Sequence, residues 1–214
     1  MRSFSISNSD TLFDYWNKRE SGTEKESLIW ISESKKLLYL KSCKCASTSI
    51  AQTLIKNIPD MKNLRAYRKA PDFSKYYKVT FVRNPWDRMV SLYHNYYDTN
   101  KLKRKFEVPE MTFDEFMHSD VIFKYQTVTL HAMPIMELTV FNGKQQMDFI
   151  GKVENLNQDF AKLRRFTTAK LPKSNATKKR KHYSKYYTDE TKQMIAEWYH
   201  KDIEEFGYTF ELEK

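Results

Sequence analysis

The chain predicts an α/β protein with a largely parallel central sheet flanked by helices, and three observations carry that prediction. The short, continuously apolar run Leu37 to Leu40 reads as a strand covered on both faces, and Val79 to Val82 reads as the next buried strand. Each passes through a tight loop into a stretch with helical spacing of apolar residues. The same strand-loop-helix order thus occurs twice, and alternation of strands and helices is the pattern of an α/β sheet.

Taken in order, residues 1 to 27 are polar with scattered aromatics (Phe4, Phe13, Tyr15, Trp16) and read as an N-terminal extension to a single domain over 28 to 214. Ile29 to Ile31 and Leu37 to Leu40, separated by Ser-Glu-Ser-Lys-Lys, read as two short strands or as a lead into the first buried strand. Apolar residues at Ile50, Leu54 and Ile58 predict a helix from Thr48 to Asn57, which Pro59 ends. After the Val79 to Val82 strand, Asn84 suits an N-cap, Pro85 the first helical position and Asp87 the first turn, so a helix should run to about Tyr97. Thr112 should cap a short helix to His118. Residues 119 to 146 carry no clear period. Met147 to Val153 reads as a strand, Asn155 to Phe166 as a helix, the basic stretch from Ser174 to Lys181 as a loop, and Asp189 to Phe206 as one helix stopped by Gly207.

Composition narrows the classes. The 214 residues are 40% hydrophobic and 15% aromatic, which suits a packed core and not a disordered chain. The apolar runs are too short to span a membrane, and Met1 to Asp10 lacks the apolar core of a signal peptide, so a cytoplasmic location is expected. Cys43 and Cys45 are the only cysteines. One residue apart, they suit a tight loop better than a disulfide, and two thiols are too few for a metal site. The formal charge of +10 is concentrated: Phe160 to Thr188 holds ten Lys and Arg and no acid. Such a field attracts an anionic small molecule, an anionic acceptor or nucleic acid, although no recognised RNA-binding signature accompanies it and nucleic acid is not expected.

The chemistry concentrates in two segments. In Ser42-Cys43-Lys44-Cys45-Ala46-Ser47-Thr48-Ser49, a lysine and three hydroxyl residues fall where a helix N-terminus offers unpaired N–H groups, a site for phosphate or sulfate. In Arg83-Asn-Pro-Trp-Asp-Arg-Met-Val-Ser91, an arginine ends a strand and a serine follows two helical turns later. An ordinary nucleoside triphosphatase loop needs glycines and a Ser or Thr directly after the lysine to hold magnesium; here that residue is Cys45 and the loop has no glycine.

Together the segments, about forty positions apart, resemble the 5′-phosphosulfate loop and the 3′-phosphate motif of sulfotransferases that use 3′-phosphoadenosine 5′-phosphosulfate (PAPS), most of all the Golgi-type carbohydrate sulfotransferases of family 2. Cys43 and Cys45 stand where that family usually has proline and threonine. Asp148 to Phe160, with its Glu-Asn-Leu core, and His182 to Phe210 resemble later family segments, so the likeness covers about residues 37 to 210. The resemblance implies a P-loop-like sulfotransferase fold with PAPS as co-substrate, no metal, and a hydroxyl-bearing acceptor, a carbohydrate first. It implies Lys44 as the catalytic residue on the leaving oxygen, Ser42 to Ser49 around the phosphosulfate, Arg83 and Ser91 on the 3′-phosphate, and Lys178, Lys179 and Arg180 in a late loop over the donor. The acceptor proton needs a base, for which Asp60, Asp72, His94 and His131 are the candidates.

Overall fold

A computed structural model describes residues 11–17, 27–67, 69, 71–97, 109–172 and 180–213. In chain order the elements are α1 (Leu12–Asn17), β1 (Ile29–Ser32), β2 (Leu37–Leu40), α2 (Ser47–Asn57), β3 (Lys62–Asn63), β4 (Tyr77–Val82), α3 (Pro85–Tyr97), α4 (Phe113–His118), α5 (Val121–Lys124), α6 (Gln126–Ala132), α7 (Met136–Thr139), β5 (Val140–Phe141), β6 (Lys144–Gln145), β7 (Phe149–Lys152), α8 (Leu156–Ala161), α9 (Asp189–Trp198) and α10 (His200–Phe206). The described residues group into two compact units, one drawn from 11–82 and 137–172, the other from 83–136 and 180–213.

The first unit contains a five-stranded sheet in the order β3-β1-β2-β4-β7. β2, β4 and β7 are mutually parallel, in registers that set Tyr39 opposite Val79 and Phe81 opposite Gly151. β1 pairs antiparallel with β2 through the Glu33–Lys36 turn, and β3 adds antiparallel to β1, so the sheet is parallel where the motif-bearing strands meet and antiparallel at one side. All four residues of β2 are buried, as are Val79 to Val82, which is why Leu37 to Leu40 reads as a continuous apolar run and why the one polar residue of the second run, Thr80, is hydrogen-bonded internally. α2 buries Ile50, Ala51 and Leu54 on one face. The segment read as an N-terminal extension supplies α1, whose Trp16 is 1% exposed and donates its indole N–H to the Leu138 carbonyl. The helix expected over Asn155 to Phe166 is shorter, Leu156–Ala161, and continues as turns that still bury Leu163 and Phe166.

In the second unit, α3 begins as the sequence implies. The Asn84 side-chain oxygen accepts from the Trp86 N–H at 3.1 Å and the Asp87 N–H at 3.5 Å, while its amide donates to the Thr209 carbonyl. α4 carries a full capping box between Thr112 and Glu115. The single C-terminal helix expected over Asp189 to Phe206 is instead two, α9 and α10, broken at Tyr199, where φ −116° and ψ 22° leave the helical region. Gly207, at φ 63°, caps α10 in the left-handed conformation.

Candidate active site

The Lys44 loop lies in the sheet-bearing unit, at the C-terminal end of β2. Ser42 is anchored first. Thr80 on β4 gives its one hydroxyl proton to the Leu40 carbonyl at 2.9 Å, so the 2.7 Å contact between Thr80 and Ser42 takes its proton from Ser42. The Cys45 N–H closes a turn onto the Ser42 carbonyl, and both cysteine thiols are buried. Beneath them the Tyr39 phenol is fully buried, and that burial, followed by the neighbouring Cys45 and Cys43 thiols, pushes its pKa well up.

The backbone of this loop is unusual for residues that carry a Cβ. Lys44 has φ 65° and Ala46 φ 53°, whereas Cys43, Cys45 and Ser47 keep negative φ, so the sign alternates along five residues. A left-handed residue followed by a right-handed one turns successive N–H groups toward one concave side that suits an anion. Ala46 is also the N-cap of α2, and its own side chain makes no capping hydrogen bond. The first intrahelical bond runs from the Ile50 N–H to the Ala46 carbonyl, which leaves the N–H groups of Ser47, Thr48 and Ser49 without an acceptor inside the helix. Ser47 is buried, Lys44, Ala46 and Ser49 are half-buried, and Thr48 is exposed. The predicted Ser42 to Ser49 set therefore splits into an inner, structural part at Ser42, Cys43 and Cys45 and a donor-rich outer part at Ala46 to Ser49.

The second predicted set lies in the other unit. Asp87 and Ser91, four positions apart, share one face of α3, and Arg83, two residues before the helix, reaches Asp87 with its guanidinium. Asp87 Oδ2 accepts from Arg83 Nε at 2.7 Å and from Arg83 Nη2 at 2.6 Å. Its other oxygen, Oδ1, accepts from Arg180 Nη2. Sequence reasoning placed Asp87 only as a helix-start residue; a bridge to a residue 93 positions on leaves no local signal. Lys178 and Lys179 lie outside the described residues.

The candidate bases are each engaged by other groups of the protein. Asp60 accepts from the Ser32 hydroxyl at 2.6 Å and the Ser34 N–H at 2.7 Å, and although burial pushes its pKa up, these bonds prevail and lower it. Asp72 caps a short 3-10 turn through Ser74, whose hydrogen bonds hold its carboxyl below the usual range. A lowered pKa makes either a weaker base. His94 Nε2 meets the Tyr186 hydroxyl at 2.8 Å, and His131 Nδ1 meets the Thr127 carbonyl at 2.7 Å.

Residues 27–209 match the sequence profile of the sulfotransferase family, and the chain belongs to that family. Membership assigns it to sulfuryl transfer. An uncharacterized protein of Archaeoglobus fulgidus is 33% identical over 93 residues, a match that covers 42% of this chain and 67% of that protein. No solved structure matches the chain significantly. Among the described residues no helix is long and apolar enough to cross a membrane.

Proposed function

We propose that this chain transfers a sulfuryl group from PAPS to an acceptor hydroxyl on a carbohydrate, as a single transferase domain over residues 28 to 214. The observation that carries the reading is the glycine-free Ser42 to Ser49 loop, which delivers a helix start and a half-buried lysine to the end of a parallel strand. That arrangement fits the 5′-phosphosulfate: the Ser47, Thr48 and Ser49 N–H groups hold anionic oxygens, and the Lys44 ammonium stabilises charge on the oxygen that bridges phosphorus and sulfur. The acceptor oxygen forms a bond to sulfur as the bond from sulfur to the bridging oxygen breaks. The electron pair stays on the phosphate of 3′,5′-adenosine bisphosphate, and the hydroxyl proton leaves to a base.

Arg83, just before α3, and Ser91 on α3 are the residues we assign to the 3′-phosphate, with Arg180 sharing the Asp87 carboxylate with Arg83 and Lys178 and Lys179 in the same late segment. The assignment is supported by charge-assisted geometry, since an oriented guanidinium suits a phosphate. A magnesium nucleotide in the same loop is less well served. Cys45 occupies the position of a magnesium-binding hydroxyl, and its thiol is buried against the Cys43 carbonyl. The test is incubation of the protein with sulfur-labelled PAPS and a panel of glycans, phenols and lipids. Label on a glycan is the expected result; label on none of them would overturn the donor reading, and label only on a phenol or lipid the acceptor reading.

A further inference from the structure

We propose that Asp87 is a positioning residue that presents Arg83 and Arg180 as one paired cradle for the donor 3′-phosphate, an inference that rests on the PAPS reading above. The three side chains lie within one unit of the chain and are each only about a fifth exposed or less, at 17% for Arg83, 21% for Asp87 and 16% for Arg180. Each oxygen of the carboxylate is committed to a different guanidinium, Oδ2 to Arg83 and Oδ1 to Arg180. Both arginines therefore converge on one point although 97 positions separate them in sequence.

The anchor itself is fixed. Asp87 is the third residue of α3, its N–H faces the capping Asn84 side chain, and a carboxylate in a first helical turn is favoured by the helix dipole. Binding through Nε and Nη2 orients the plane of Arg83 and turns its Nη1 corner away from the carboxylate. Ser91, one turn farther along the same face, then stands beyond that carboxylate on the helix. Two guanidiniums brought together without Asp87 repel each other, so one negative charge is what lets two positive ones share the place. The trio keeps a net charge of +1.

Positioning and simple charge make opposite predictions. Asp87→Asn removes a negative charge from a proposed phosphate site, so a purely electrostatic role for the aspartate requires 3′,5′-adenosine bisphosphate to bind the variant more tightly. If Asp87 positions the arginines, affinity falls instead. The experiment is calorimetric titration of the full chain with 3′,5′-adenosine bisphosphate and, separately, with 5′-AMP, which lacks the 3′-phosphate. Asp87→Asn should weaken the bisphosphate about tenfold or more and change AMP by no more than about twofold. Arg180→Gln should cause the same selective loss, and the double variant should be little worse than either single one because the residues act as a unit.

Tighter or unchanged bisphosphate binding by Asp87→Asn overturns the proposal, as does equal weakening of both ligands, which marks a purely structural bridge. Should Asp87→Asn fail to fold, Arg180→Gln alone decides by the same selectivity. A wild-type protein with no preference for the bisphosphate over AMP overturns the donor reading, and with it this proposal, and is distinguishable from failure of the proposal alone.

Discussion

Gly151→Ala tests how closely the parallel strands beside the loop are packed. Gly151 on β7 lies directly opposite Phe81 on β4, and a Cβ built there falls 2.4, 2.6 and 3.1 Å from three atoms of the Phe81 ring. Contact between carbons is comfortable at about 3.5–4.0 Å, so the ring must retreat by roughly 1 Å or the strands must part. Phe81 is fully buried, with Phe149 edge-on at 6.1 Å and Phe160 at 6.5 Å, and has little room to move. Overpacking at such a site costs about 3 kcal/mol, the upper end of the usual range. For a chain of this length that is about 6–12 °C in midpoint, readable by circular dichroism on heating. Phe81→Leu alone should cost about 1 kcal/mol by leaving a gap, and in the double variant the added methyl should occupy part of that gap, making the total smaller than the sum. A Gly151→Ala protein within about 0.5 kcal/mol of wild type, or strictly additive costs, would refute the packing argument.

Lys44→Ala should leave the midpoint of unfolding nearly unchanged while removing about 3 kcal/mol of barrier lowering, roughly a hundredfold or more in kcat, measured by sulfur-label turnover; near-normal turnover would sink its assigned role. Arg83→Ala should weaken PAPS and 3′,5′-adenosine bisphosphate together by about 2 kcal/mol and leave AMP almost unaffected, whereas equal weakening of all three by titration would make the arginine structural. His118 has its pKa raised, by the Asp114 backbone carbonyl first and then by Glu190, whose carboxylate lies 3.2 Å from Nε2. Its stabilisation is fully present below the ordinary histidine pKa and disappears as pH rises through the raised folded value, so His118→Gln should flatten that part of a stability-against-pH profile. An unchanged profile would show that the pair contributes nothing measurable.

The elements that could be read from sequence are those whose signals are local. Asn84, Pro85 and Asp87 announce the start of α3 within four residues, and Thr112 with Glu115 does the same for α4. Residues 119 to 146 resist such reading because α5, α6 and α7 are four to seven residues long, too short to be stable on their own, and are fixed from afar. The Asp202 carboxylate, for example, accepts from the Ile135 and Met136 N–H groups at 2.7 and 2.8 Å. The break at Tyr199 has the same origin: the helical period runs on through it, yet its hydroxyl is bound to the Ala132 carbonyl and its ring faces Arg88 at 5.9 Å. In the candidate site, residue identities marked the lysine loop and the arginine motif. The left-handed turns at Lys44 and Ala46 had no cue, because glycine is the residue that usually signals them.

That missing glycine bears on how the loop would meet the anion proposed for it. Glycine at Lys44 and Ala46 would permit these turns at little steric cost but would let the backbone wander among many shapes before an anion arrived. Side chains with a Cβ disfavour the left-handed region by about 1–2 kcal/mol each, so the conformation is imposed by what surrounds the loop: the Thr80–Ser42 tether, the buried thiols and the start of α2. The cost of ordering is therefore met during folding and not at the moment of encounter, and a receptor shaped in advance loses less entropy on capture. The loop behaves as a mould set before the casting, so the recognition of an anion proposed for it would be a property of the folded scaffold as a whole.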